Sequence, residues 1–241
     1  MSVDVDVRDE AASFTDKWRA RWPEWSVAMA FVPKARQPLA EAWFTLLQEF
    51  TDAAWGGGDP TPGLAKLAWW QEELGGWAKG ARRHPLGALL QPRPAPWLAL
   101  GRALPDLRAR RGGDGGDDIV GPHAGVAGGA AAASGGAGAN AGARFAAAVA
   151  DCEAALFDGR APGIDSTAAV LQSLLGERAL MRAATMDPIA TLDMAGPAPH
   201  PGSRPRGIHA ALVAARLARP GAPLPPLRAL FAAWRGARRA G

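Results

Sequence analysis
Apolar residues recur along most of this chain at steps of three and four, the spacing that gathers side chains on one face of an α-helix. Phe14, Trp18 and Trp22 start the pattern and predict a short helix over Phe14–Arg21, ended by Pro23, with residues 1–13 frayed. Ala40, Trp43, Phe44, Leu47, Phe50 and Ala54 predict a second helix over 37–55. Pro38 suits its first turn, and Gly56-Gly57-Gly58-Asp59-Pro60 stops it. Leu64, Leu67, Trp70, Leu74 and Trp77 predict a third from Pro62 to Lys79, and 95–110 gives a fourth stretch.

Residues 112–143 are low complexity, a Gly/Asp run followed by Gly, Ala and Ser. Such a segment loses more entropy on ordering than its small side chains recover by burial, so it reads as a linker. It separates an N-terminal helical part, 1–111, from a C-terminal part, 144–241, of one bundle. Phe145, Val149, Cys152, Leu156 and Phe157 restart the helical period. A helix over 167–184 has Ser166 placed as its N-cap, and Pro188, Pro197, Pro199, Pro201 and Pro205 make 187–206 a loop. Ile208, Leu212, Ala215 and Arg219 predict the next helix. Leu227, Leu230, Phe231 and Trp234 predict a final amphipathic one, opened by Pro225-Pro226. With no alternating strand pattern and no internal repeat, the predicted fold class is all-α, a helical bundle.

Composition shifts weight within that picture. The hydrophobic fraction is 48%, but much of it is Ala, which buries little area per residue. Nine of the ten Trp precede residue 98, so the core is expected in the first hundred residues. Four Lys stand against 23 Arg, a bias resembling GC-rich coding. The net charge of +4 hides an acidic start (Asp4, Asp6, Asp9, Glu10, Asp16) and an end in which eight Arg follow Asp193 with no acid. A basic tail attracts nucleic acid, anionic lipid or diphosphate; a solvated helix face with codon bias accounts for it as well. The aromatic interleaving of a single-strand binder is missing, and no nucleic-acid partner is expected. The one cysteine, Cys152, lies on an apolar helix face and reads as a small core residue. The acidic start is unlike a signal peptide, and the uncharged run 119–143 is too weakly apolar to span a membrane. A cytoplasmic protein, or one peripheral to the inner membrane, is the expectation.

Candidate chemistry sits in two blocks. Phe31-Val-Pro-Lys-Ala-Arg36 leads into the helix carrying Thr51-Asp52-Ala53-Ala54-Trp55; Leu67-Ala-Trp-Trp-Gln-Glu-Glu-Leu74 is followed by His84-Pro85. Over residues 25–90 this resembles the first part of a squalene/phytoene synthase. The resemblance implies the isoprenoid-synthase fold, a place in isoprenoid biosynthesis, and transfer between or binding of isoprenyl diphosphates with Mg²⁺. Diphosphate leaves well only when its charge is neutralised, which that family achieves with Mg²⁺ bridging carboxylates on two helices to phosphate oxygens.

By this resemblance Val32-Pro33 and Arg36 match the family's turn and arginine. The acidic motif Asp-Asp-x-x-Asp falls on residues 51–55 and keeps only Asp52, and Gln48 stands where an arginine often precedes it. Arg36, Gln48 and Asp52 are thus the expected substrate contacts and Asp52 the expected Mg²⁺ contact, with no catalytic residue assigned. Glu41, Thr45, Gln48 and Asp52 form one helix stripe, expected to line a cavity; Glu49 projects elsewhere. The family's second acidic motif has no match. Asp187 and Asp193 are its nearest candidates, and Asp114, Asp117 and Asp118 read as a solvated linker. Glu72-Glu73 reads as an exposed face, Lys79, Arg82 and Arg83 as a solvated helix end, His84 as a turn residue beside Pro85, and Trp69 and Trp70 as core.

Two readings remain open. One is a prenyltransferase-like protein with weak or lost catalysis. The other is a non-catalytic relative serving as a binding or assembly module, as the resemblance implies from some family members with degraded acidic motifs. A protein partner would then contact Arg235, Arg238 and Arg239.

Overall fold
The computed structural model describes residues 3–109, 142–158, 162–184 and 199–240. These residues form an all-α fold of ten helices, with no strand among them. The first helix, α1, runs Val3–Arg21, so the segment expected to fray before Phe14 continues the helix instead. Pro23 follows it, and the chain turns through α2 (Trp25–Ala28) and two 3₁₀ turns, Met29–Phe31 and Lys34–Arg36.

Helix α3, Gln37–Trp55, has the predicted bounds. It is buried on nearly every side rather than on one stripe, as a central helix must be. Around it lie α1, α4 (Thr61–Trp77), α5 (Gly87–Leu90) and α6 (Trp97–Ala109). The linker predicted over 112–143 lies almost wholly outside the described residues. Helix α7, Ala143–Glu153, widens into a π turn at Ala154–Asp158. Helix α8, Ile164–Ala184, begins before its expected start, so Ser166 lies in its first turn, buried, and is not the N-cap. Most of the proline-rich stretch 187–206 is outside the described residues. It ends at Ser203, which caps α9 (Arg204–Leu217) by accepting the Arg206 N–H at its Oγ. Helix α10, Pro226–Arg239, packs on α9 and α2.

A single hydrophobic core joins the parts before and after the linker. Trp18, Trp25, Trp43, Trp70 and Trp77 are fully buried in it, supplying the bulk that the many alanines lack. Phe145 of α7 meets Phe50 of α3 edge-on, with ring centroids 6.2 Å apart. Cys152 is buried, and burial pushes its thiol well above the usual range. No described helix is long and apolar enough to cross a membrane.

Candidate functional site
The stripe Glu41, Thr45, Gln48 and Asp52 on α3, expected to line a cavity, is covered in the structure. Helix α1 lies against it, and two arginines of α1 take its carboxylates. Arg19 holds Glu41 with its Nε at 3.1 Å and its Nη2 at 2.9 Å from both carboxylate oxygens. Arg21 holds Asp52 through Nη1. Between these pairs Thr45 and Gln48 are buried, and neither the Thr45 hydroxyl nor the Gln48 Oε1 has a partner. Asp52 is itself half-buried. Burial raises its carboxyl above the ordinary range, against the pull of Arg21. Arg36 is exposed in the 3₁₀ turn that precedes α3. It stands sixteen positions before Asp52, about 24 Å along a helical rise, so the two expected substrate contacts are not brought together.

A Mg²⁺–diphosphate site needs several carboxylates free to share metal ions. Here the acids of α3 are each committed to a cation, since Glu49, which is buried, pairs with Lys66 at 2.6 Å. No group of three metal-ligating side chains occurs among the described residues. Asp114, Asp117, Asp118, Asp187 and Asp193 lie outside them. The residues present around Asp52 do not fit Mg²⁺.

The second block of the resemblance is a structural knot. Glu73, expected to be exposed, is 1% exposed. Its Oε1 accepts the Trp77 indole N–H at 2.8 Å and the backbone N–H groups of Arg83 (2.7 Å) and His84 (2.8 Å), and its Oε2 accepts the Arg83 Nε–H at 3.0 Å. Burial alone would raise this carboxyl; the four donors outweigh it and hold it below the usual range. His84 does act as a turn residue, its Nδ1 accepting the Leu86 N–H at 3.2 Å. Its ring packs on Phe14, Trp69 and Trp70, and burial lowers its pKa to about 4. Lys79, Arg82 and Arg83 are exposed, as expected of a solvated helix end, and the Arg83 guanidinium also lies over Trp69, 5.4 Å from its ring centroid.

Two groupings were invisible in the sequence. Arg206, 1% exposed, pairs with buried Glu153 through Nε (3.0 and 3.1 Å), and the Trp43 indole donates to the same carboxylate at 2.8 Å. His209 is enclosed by Trp22, Trp25 and Phe44, with its Nε2 2.7 Å from Glu177.

Two cavities adjoin these groups. The larger, about 530 Å³, is walled by Glu153, Phe157, Ser166, His200 and Ser203. Its polar groups shape the backbone around it: Ser203 caps α9, and His200 Nδ1 accepts the Gly202 N–H. The smaller, about 280 Å³, is walled by Arg21, Trp22, Glu177, Leu180, Met181 and Arg216. Its wall includes Arg21, the partner of Asp52, and sets two guanidinium groups and one carboxylate beside apolar side chains.

No protein-family model, curated protein or solved structure matches this chain.

Proposed function
We propose that this chain is a squalene/phytoene synthase-like helical bundle that serves as a non-catalytic binding or assembly module. The observation that carries the reading is the occupation of Asp52 by Arg21, with α1 lying over the stripe that prenyl transfer would need open. The block around Trp69, Glu73 and His84 supports it: those residues hold α4 to the following turn, a purpose that outlasts loss of chemistry. The test is thermal stabilisation by a non-hydrolysable farnesyl diphosphate analogue, with and without Mg²⁺. The expected result is no Mg²⁺-dependent rise in Tm. A Mg²⁺-dependent rise lost in Asp52→Asn would sink the proposal and restore a transferase.

One observation favours a second reading, metal-free binding of an isoprenyl diphosphate. The cavity walled by Arg21 and Arg216, whose guanidinium groups also pair with Asp52 and Glu24, has cationic groups for an anionic head and Trp22, Leu180 and Met181 for an apolar tail. That reading expects the analogue to stabilise the protein equally with and without Mg²⁺, and Arg216→Gln to remove the effect.

A further inference from the structure
Helix α10 is mounted with its bulky apolar side turned outward. Ala229, Ala232, Ala233, Gly236 and Ala237 face the fold and are buried. Leu227 is 80% exposed, Phe231 59%, and Leu230 and Trp234 each 39%. At 3.6 residues per turn these four fall on one side, opposite the small residues. They make up half of the eight large hydrophobics exposed among the described residues; the other four, Leu64, Leu89, Leu98 and Ile164, are spread over four elements. A helix that needed only to pack would put Leu, Phe and Trp inward.

Arginines border this face. Arg228, Arg235 and Arg239 run along one flank, and all three are exposed. Arg235 lies over Phe231, with its guanidinium 5.7 Å from the ring centroid, and Arg238 lies over Trp234 at 5.1 Å. No acidic residue occurs in α10 or anywhere after Asp193. An occupant must therefore be apolar at its centre and anionic at its margin. A second copy meeting this face with its own would bring arginines and no acids, leaving every guanidinium without a counter-charge.

We propose that α10 is a membrane-surface helix that lies in the plane of an anionic phospholipid leaflet. Leu227, Leu230, Phe231 and Trp234 enter the boundary between headgroups and acyl chains, and Arg228, Arg235, Arg238 and Arg239 meet lipid phosphates. Helices that lie on membranes combine one bulky apolar face with a polar face rich in Arg or Lys, as α10 does. Its fourteen residues reach about 21 Å, suited to lying on a bilayer and too short to cross one. The inference stands apart from the isoprenoid reading and survives its failure.

The test is flotation of the full chain with vesicles of phosphatidylcholine alone or mixed with phosphatidylglycerol. Binding is expected to the mixed vesicles only, and to fall as salt rises. The variant carrying Arg228→Gln, Arg235→Gln and Arg239→Gln should bind about a hundredfold more weakly, since each cation at an anionic surface contributes about fivefold. Phe231→Ser with Leu227→Ser should abolish flotation, and because both side chains are exposed, an unchanged Tm shows that the fold is intact. No flotation of the natural chain with mixed vesicles overturns the proposal, as does flotation unchanged in both variants. A concentration-dependent dimer that Phe231→Ser dissociates, without lipid binding, overturns it in favour of a second copy; stoichiometric capture of one protein through the same face, again without lipid binding, overturns it in favour of a protein partner.

Discussion

Gly207 of α9 and Gly236 of α10 touch backbone to backbone. A Cβ on Gly236 would stand 2.2 Å from the Gly207 carbonyl oxygen, and one on Gly207 would stand 2.5 Å from that of Gly236. Both distances are well inside van der Waals contact and the obstructing atoms are backbone, so the helices must separate to admit a methyl group. Gly236→Ala is therefore expected to destabilise by about 1–3 kcal/mol, the range for overpacking a tight contact. Gly75→Ala on α4 is the control. Nothing lies within 4 Å of its would-be Cβ, and relief of helical Gly should stabilise by about 0.5–1 kcal/mol. Urea unfolding of the two variants should give shifts of opposite sign.

The Arg206–Glu153 pair predicts a larger effect. Both side chains are almost wholly buried, and Trp43 donates to the same carboxylate. Removing one partner leaves the other charge desolvated, which costs about 3–5 kcal/mol. Glu153→Gln should fall in that range. Adding Arg206→Met to it should recover part of the loss, because the stranded cation is then gone. A double variant no more stable than Glu153→Gln would mean that the guanidinium packing over Phe44, 5.2 Å from its ring centroid, matters more than its charge.

Asp52 gives a prediction that weighs its burial against its ion pair with Arg21. Its carboxyl is raised above the ordinary range, first by burial. A carboxyl whose folded pKa exceeds its unfolded pKa favours folding only while protonated, and its contribution falls as pH rises through that window. At neutral pH the charge at Asp52 is thus a net burden despite Arg21. Asp52→Asn should leave stability unchanged or raise it by up to about 1 kcal/mol. Differential scanning fluorimetry at pH 7 checks this; a loss of several degrees in Tm would mean that the ion pair outweighs the cost of burial.

Local signals explain which parts of this fold could be read from sequence. Helix α3 was legible to the residue because Pro38 and Gly56-Gly57 punctuate it. The all-α class followed from spacing alone. What failed were relations between distant positions. Nothing near Asp52 in the sequence announces Arg21, and Arg206 meets Glu153 across 53 positions. Glu72 and Glu73 look alike as a tandem, yet adjacent helix positions diverge by about 100°. One therefore points to solvent and the other into the α4 turn. The last helix showed its amphipathic character plainly, but not which side packs. The contact between Gly207 and Gly236 decides that, by letting the Ala/Gly side approach most closely.

His84 predicts an acid weakness in the knot at the end of α4. Burial lowers its pKa from 6.5 to about 4, although Glu49 and Glu73 pull the other way. The unfolded chain takes up a proton as pH falls through 6.5, and the folded chain does not until about 4. Stability contributed by the neutral ring is therefore complete above the unfolded value and lost progressively between the two. Because the ring is only partly shielded, the loss should be about 1–2 kcal/mol, below what the full shift would give. Glu73, held below the ordinary glutamate range, adds its own loss only at lower pH. Asp52, raised above its ordinary range, favours folding more as pH falls and opposes this loss, so it is the difference between the natural chain and a His84 variant, measured at pH 8 and pH 5, that isolates His84. His84→Asn keeps an acceptor for the Leu86 N–H and removes the titration. It should cut the pH 8 to pH 5 difference by most of that amount, while an unchanged difference would assign the acid sensitivity to another group.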